Sequence, residues 1–198
     1  MDDLFSIRGK CALVTGGGSG IGWMIASGYA RAGARVYIAS RKRAELDARI
    51  AELGGAGDCR AIEADLSSEA GCNALADELE RREPALHVLV NNAGANWGAS
   101  YADYPESAWD RVLDVNLKAV FSLTRRLTAM LERAASDEDP ARVVNIGSVD
   151  GIQVPALQTW AYGASKAAVH HLTRMLAREL APRRITVNAV APGPFQSR

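Results

Sequence analysis

The stretch Cys11-Ala-Leu-Val-Thr-Gly-Gly-Gly-Ser-Gly-Ile-Gly22 decides the fold. Its first five residues form an apolar run suited to a buried strand, closed at once by glycines. A segment with helical apolar spacing follows, with Ile21, Met24, Ile25 and Tyr29 expected on its inner side. Glycines serve such a junction in two ways. The chain reverses tightly from strand to helix, and its backbone approaches a phosphate with no Cβ in the way. The helix start then offers unpaired N–H groups to an anion. The turn matches neither standard phosphate signature. In G-x-G-x-x-G, Gly16 and Gly18 fit but position 21 is Ile, and the Gly-Lys of a P-loop is missing. A plain tight turn explains the glycines, taken alone, equally well.

Outward from this stretch, five more short apolar runs suit strands: Arg35–Ser40, Cys59–Glu63, Leu86–Asn91, Arg142–Gly147 and Ile185–Val190. Helical spacing separates them. Trp109, Val112, Leu113, Asn116, Leu117, Val120, Leu123, Leu127 and Leu131 form one such series, and Val169, Leu172, Thr173, Leu176 and Leu180 another. Strands alternating with helices predict an α/β fold with a doubly wound parallel sheet, strand order 3-2-1-4-5-6. We expect residues 1–198 to form a single dinucleotide-binding catalytic domain.

Composition removes several function classes. Lys plus Arg and Asp plus Glu each number 23, giving a formal net charge of zero. Such a chain has no electrostatic reason to seek nucleic acid or anionic lipid. The first ten residues carry two acids and no signal-peptide core, and no apolar run reaches membrane-spanning length. Cys11, Cys59 and Cys72 lack metal or disulfide spacing and read as buried thiols, so no metal is expected and the compartment reads as cytoplasmic.

The second strand bears on the nucleotide. An acid at its end would bind a ribose 2′-OH, whereas Arg suits a 2′-phosphate. Val36–Arg43 contains no acid, and Ser40 and Arg41 stand at the discriminating position, which favours NADP(H) over NAD(H). Asp65 suits either the adenine edge or a turn ahead of Ser67 and Ser68.

The remaining chemistry sits near the carboxyl ends of later strands. Tyr162 and Lys166 are four residues apart at a helix start and so share a face. An ammonium beside a phenol stabilises its phenolate. Ser148 lies just past the fifth strand, within reach of the same crevice, and Asn116 interrupts an apolar helix face, where a buried amide needs partners.

In order and spacing, Thr15-Gly-x-x-x-Gly-x-Gly22, Asn91-Asn-Ala-Gly94, Asn116, Ser148, Tyr162-x-x-x-Lys166 and Pro192-Gly193 resemble the classical short-chain dehydrogenase/reductase family. The resemblance runs from Lys10 to the last residue. It looks closest to 3-oxoacyl (β-ketoacyl) reductases of the rhamnolipid-associated branch, through Leu89–Gly98, Asn145–Ser148 and Ala191–Phe195.

That resemblance implies an NADPH-dependent carbonyl reductase with a 3-oxoacyl thioester or related ketone as substrate. Tyr162 would protonate the carbonyl oxygen. Lys166 would stabilise the phenolate and hold the nicotinamide ribose. Ser148 would bond the substrate oxygen, and Asn116 would hold a relay water. Cofactor contacts are expected from Gly16, Gly18, Ser19, Gly20, Ile21, Gly22, Ser40, Arg41, Asp65, Leu66, Asn92, Ala93, Gly94, Tyr162, Lys166, Pro192 and Gly193. Ser19 departs from the Arg that NADP-dependent relatives often carry there. Trp97, Gln153, Trp160 and Phe195 are candidate pocket residues.

The family also implies a homodimer or homotetramer, with the helical faces of 109–131 and 169–180 suited to the interface. The substrate lid and last strand of the family are absent from this sequence, which is expected to be the core of a longer reductase. Two other functions fit the same residues: an NAD(P)-dependent dehydrogenase of a sugar, steroid or other secondary alcohol, and a cofactor-binding module without turnover.

Overall fold

A computed structural model describes residues 5–194. Phe195, one of the candidate pocket residues, lies outside them. Six parallel strands alternate with helices. The strands are β1 (Cys11–Thr15), β2 (Arg35–Ser40), β3 (Asp58–Glu63), β4 (Val88–Asn91), β5 (Ala141–Ile146) and β6 (Ile185–Val190). They form one sheet in the order β3-β2-β1-β4-β5-β6. The helices are α1 (Gly20–Arg31), α2 (Arg43–Glu52), α3 (Glu69–Arg82), α4 (Glu106–Leu113), α5 (Ala119–Ala134) and α6 (Trp160–Leu180).

All five residues of β1 are buried, as a central parallel strand covered on both faces requires. On one face, α1 and α2 pack Ala26, Ala30 and Leu46 against Val14, Val36, Ile38 and Val90. On the other, α3, α5 and α6 pack Leu75, Leu79, Leu123, Leu127 and Leu176 against Leu13, Tyr37, Leu89 and Val143. Cys11, Cys59 and Cys72 are buried free thiols, and burial pushes them up to about 12, 11 and 11 respectively.

Two local readings of the sequence change. The inner face of α1 is Gly22, Ala26, Ser27 and Ala30, while Met24 is 55% exposed. Small residues win because the helix lies close to the sheet where the glycine turn delivers it. The series from Trp109 to Leu131 is also not one regular helix. A π turn, Asp114–Lys118, separates α4 from α5, and the Ala119 N–H bonds the Asp114 carbonyl. Asn116 sits in that turn and is 1% exposed. Apolar spacing cannot reveal the turn, because the helix axis continues and the apolar stripe resumes after it.

Strand order reverses between β1 and β4. The crevice at their carboxyl ends is therefore the switch point at which such sheets bind ligands.

Candidate active site

Thr15 ends β1 with its side chain buried. Its hydroxyl oxygen accepts the backbone N–H groups of Asn92 and Ala93 at 2.9 and 3.0 Å, and its O–H is 3.3 Å from the Val90 carbonyl. The Asn92 amide donates back to the carbonyls of Thr15 and Gly16 at 2.9 and 3.2 Å. The ends of β1 and β4 are thus locked together.

The glycines fit inside this lock. Gly16 has φ +65°, and a Cβ there would lie 2.9 Å from the Ala93 Cα. A Cβ on Gly22 would lie 2.3 Å from the Gly16 carbonyl oxygen and 2.4 Å from the Asn92 amide nitrogen. Ser19 precedes α1 without a side-chain cap, so the first N–H groups of the helix face the crevice without a side-chain partner.

The opposite wall comes from β5 and α6. The Lys166 ammonium is only 5% exposed and donates to the Ile146 carbonyl at 2.7 Å. That is its one acceptor among the described residues, so two of its three donors remain free. Burial without a carboxylate partner pushes Lys166 down to about 8. Its nitrogen lies 5.5 Å from the centre of the Tyr162 ring. Ser148 is 7% exposed, and its hydroxyl accepts the Asp150 N–H at 3.1 Å, which leaves the O–H hydrogen free to donate.

Asn116 lies behind this wall. Its Oδ1 accepts the Ala95 N–H at 2.7 Å, and its Nδ2 donates to the Ala95 carbonyl and the Ser165 hydroxyl, each at 3.0 Å. Ser165 donates in turn to the Tyr162 carbonyl at 2.7 Å. Both amide hydrogens are therefore committed. Asn116 ties the loop after β4 to α6, and a water can meet its side chain only at the oxygen.

Two adjoining cavities, of about 520 and 480 Å³, run along the crevice. The first is lined by Gly16, Ser19, Ile21, Gly22, Asn92, Ala93, Gly94, Ser148, Tyr162, Lys166, Pro192 and Gly193. The second is lined by Gly16, Gly18, Ser19, Ser40, Arg41, Asp65, Leu66, Ala93 and Gly94. Of the expected site residues, only Gly20 and the buried Asn116 line neither.

Arg41 is exposed at the far end and makes no ion pair among the described residues. Asp65 makes the turn: its Oδ1 accepts the Ser67 N–H at 3.0 Å, while Ser68 caps α3. Bonds from Ser67, with a smaller contribution from Arg41, hold the Asp65 carboxyl below the usual carboxylate range. Asp65 still borders the second cavity.

The candidate pocket residues separate. Gln153 and Trp160 line a third cavity of about 430 Å³ beside the start of α6, whereas Trp97 lies under the Arg111 guanidinium at 5.7 Å. Neither Thr15, which heads the glycine motif, nor Ser165 is among the residues expected to build the site. The signal for Thr15 is a hydroxyl closing an otherwise apolar run next to the glycines.

A Cβ-free cradle, an uncapped helix start, a buried ammonium with spare donors and an unpaired Arg41 together fit a phosphorylated dinucleotide. This is the ligand geometry of an oxidoreductase on a doubly wound sheet. The chain belongs to the short chain dehydrogenase family, whose model matches residues 10–198. It is 52% identical over 198 residues to the rhamnolipids biosynthesis 3-oxoacyl-[acyl-carrier-protein] reductase of Pseudomonas aeruginosa, covering 100% of this chain and 77% of that protein. It is 40% identical over 192 residues to the L-tagatose-forming galactitol 2-dehydrogenase of Cereibacter sphaeroides, covering 96% of this chain and 73% of that one. Among solved structures, the Pseudomonas aeruginosa RhlG/NADP active-site complex superposes with a TM-score of 0.96 at 52% identity, covering 100% of this chain and 77% of that one. Actinorhodin polyketide ketoreductase with NADPH superposes with a TM-score of 0.88 at 36% identity, covering 96% and 72%.

Proposed function

We propose that this chain is an NADPH-dependent reductase of 3-oxoacyl thioesters or closely related ketones. The observation that carries the reading is the convergence of Tyr162, Lys166 and Ser148 on the cavity that begins at the glycine cradle. The substrate class is supported by the 52% identical reductase.

NADPH, when bound, supplies the hydride. The Tyr162 hydroxyl, which bonds nothing among the described residues, gives its proton to the carbonyl oxygen. Lys166 stabilises the phenolate left behind, and its free donors suit the hydroxyls of a ribose. Ser148 donates its free O–H to the same oxygen and aims the carbonyl. A positioned acid contributes about 10² to 10⁴ to the rate, and alignment of the two reactants supplies the larger remainder. Arg41 would hold the 2′-phosphate, Asp65 and Leu66 would border the adenine, and the backbone from Gly16 to Gly22 would hold the pyrophosphate.

The chain is proposed to work as a single catalytic domain in the cytoplasm. No described helix is long and apolar enough to cross a membrane. A homodimer or homotetramer would cover Phe121 and Met175, which stand 44% and 58% exposed on α5 and α6.

The test is NADPH consumption against a panel of acetoacetyl thioesters, keto-sugars and steroid ketones, repeated in the oxidative direction. The thioester is expected to turn over fastest. Preferred oxidation of a sugar alcohol would move the chain to the dehydrogenase reading, which the galactitol relative favours. Tight NADPH binding with no turnover would leave only a binding module. The Arg41→Asp variant should weaken NADPH about tenfold to a hundredfold while sparing NADH, the value of a charged hydrogen bond. Equal weakening of both would remove the 2′-phosphate from Arg41.

A further inference from the structure

Past Asn91, β4 leaves the sheet, and the edge of β5 that faced it continues alone. The opposite edge stays paired: the N–H groups of Gly147 and Val149 bond the carbonyls of Val190 and Pro192 at 2.8 and 3.1 Å. The carbonyls of the same two peptide units, those of Ile146 and Ser148, therefore turn to the vacated side. Buried carbonyls need donors. The Ser148 carbonyl already accepts the Gly151 N–H at 3.0 Å, and one turn of α6 adds a side-chain donor to each carbonyl. Lys166 reaches the Ile146 carbonyl at 2.7 Å, and His170 reaches the Ser148 carbonyl with Nε2 at 3.1 Å. Lys166 and His170 are four residues apart, so the two bonds are successive rungs on one helix face.

The backbone is shaped for this ring. A Cβ on Gly147 would lie 2.4 Å from His170 Cε1, 2.7 Å from Nε2 and 3.1 Å from Nδ1. Any side chain at position 147 would displace the imidazole from this place. A carbonyl can only accept, so Nε2 must bear the hydrogen.

We propose that His170 is a positioning residue for the reaction: its Nε2–H fixes the Gly147–Ser148 segment, so that the Ser148 hydroxyl is aimed at the substrate oxygen. His170 does not line the cofactor cavity. Its removal therefore acts on turnover and leaves cofactor affinity alone. The inference rests on the proposed role of Ser148, and Ser148→Ala is measured in parallel.

The experiment follows kcat, KM and NADPH affinity with an acetoacetyl thioester in His170→Leu, His170→Gln and Gly147→Ala. His170→Leu is expected to lower kcat about tenfold, the worth of one hydrogen bond, with NADPH affinity unchanged. His170→Gln places an amide N–H near the position of Nε2 and should recover most of that loss. Gly147→Ala displaces the ring and should resemble His170→Leu. Wild-type kcat in His170→Leu, or equal losses in the Leu and Gln variants, overturns the proposal. If Ser148→Ala is fully active, the reading of the site itself falls, whatever His170 does. Should His170→Leu fail to fold, ¹⁵N spectra of the histidines in the wild-type protein decide. An Nε2–H tautomer at His170 supports the proposal, and an Nδ1–H tautomer rejects it.

Discussion

The two walls of the crevice are built on opposite terms. On the cradle side, Thr15 and Asn92 spend their polar groups on each other's backbones, and Gly16, Gly17 and Gly22 leave no room for a Cβ. On the α6 side, Lys166 holds a buried ammonium on a single carbonyl, and the Tyr162 hydroxyl has no partner among the described residues. The first wall stabilises the fold and gives the ligand its shape. The second carries a cost in the free protein that bound ligand is suited to repay. Substitutions on the two walls should therefore move stability and activity in different directions.

The largest separation is expected from Lys166→Met, which replaces the ammonium with an apolar chain of similar length. Turnover should fall by about 10² to 10⁴ as support for the acid is lost. The free protein should nevertheless become more stable near neutral pH, by about 3 kcal/mol at most, since the penalty behind the shift toward 8 disappears. Urea unfolding beside steady-state rates reads both effects. A destabilised Lys166→Met would place this wall on the same terms as the cradle.

The same shift fixes a pH dependence. The folded-state value of Lys166 is about 8, against an ordinary 10.5, so between these the unfolded chain binds more protons. The stability of the wild-type free protein accordingly rises with pH across that window relative to Lys166→Met, and the two converge toward its upper end. A constant difference across the window would contradict the buried-ammonium account.

Gly22→Ala breaks the other wall. Its methyl meets the Gly16 carbonyl and the Asn92 amide at 2.3 and 2.4 Å, both held by the lock between β1 and β4. A loss of about 1–3 kcal/mol is expected, with NADPH affinity falling alongside. Retained stability with lost affinity would mean that the cradle is shaped for the ligand alone.

The smallest effect is expected at Val154, which is 94% exposed beside the third cavity. Val154→Ser should change stability by less than about 0.5 kcal/mol. A larger loss would show that the loop before α6 is part of the packed wall.

The sequence made some of this visible and hid the rest for physical reasons. Strands buried on both faces leave unbroken apolar runs, so β1 and β2 are readable to the residue, and β6 is equally readable although only Ile185 and Val187 are buried. β4 begins later than its apolar run, at Val88, because the Leu86 and His87 N–H groups bond Met130 and Cys11 instead of a full ladder. The positions of Tyr162 and Lys166 follow from helix spacing. Thr15 and His170 do not, since their partners lie on other strands and no local pattern marks a hydroxyl or imidazole that bonds distant backbone. Asn116 stands out as a polar break in an apolar stripe, but the π turn that buries it leaves no periodic trace.

Tyr162→Phe, assayed beside wild type for NADPH consumption with an acetoacetyl thioester, tests the central claim most directly. The phenyl ring keeps the packing and removes only the proton donor. The account predicts steady turnover in wild type and a loss of about 10² to 10⁴ in the variant, with NADPH still bound. Turnover in Tyr162→Phe at the wild-type rate would contradict it.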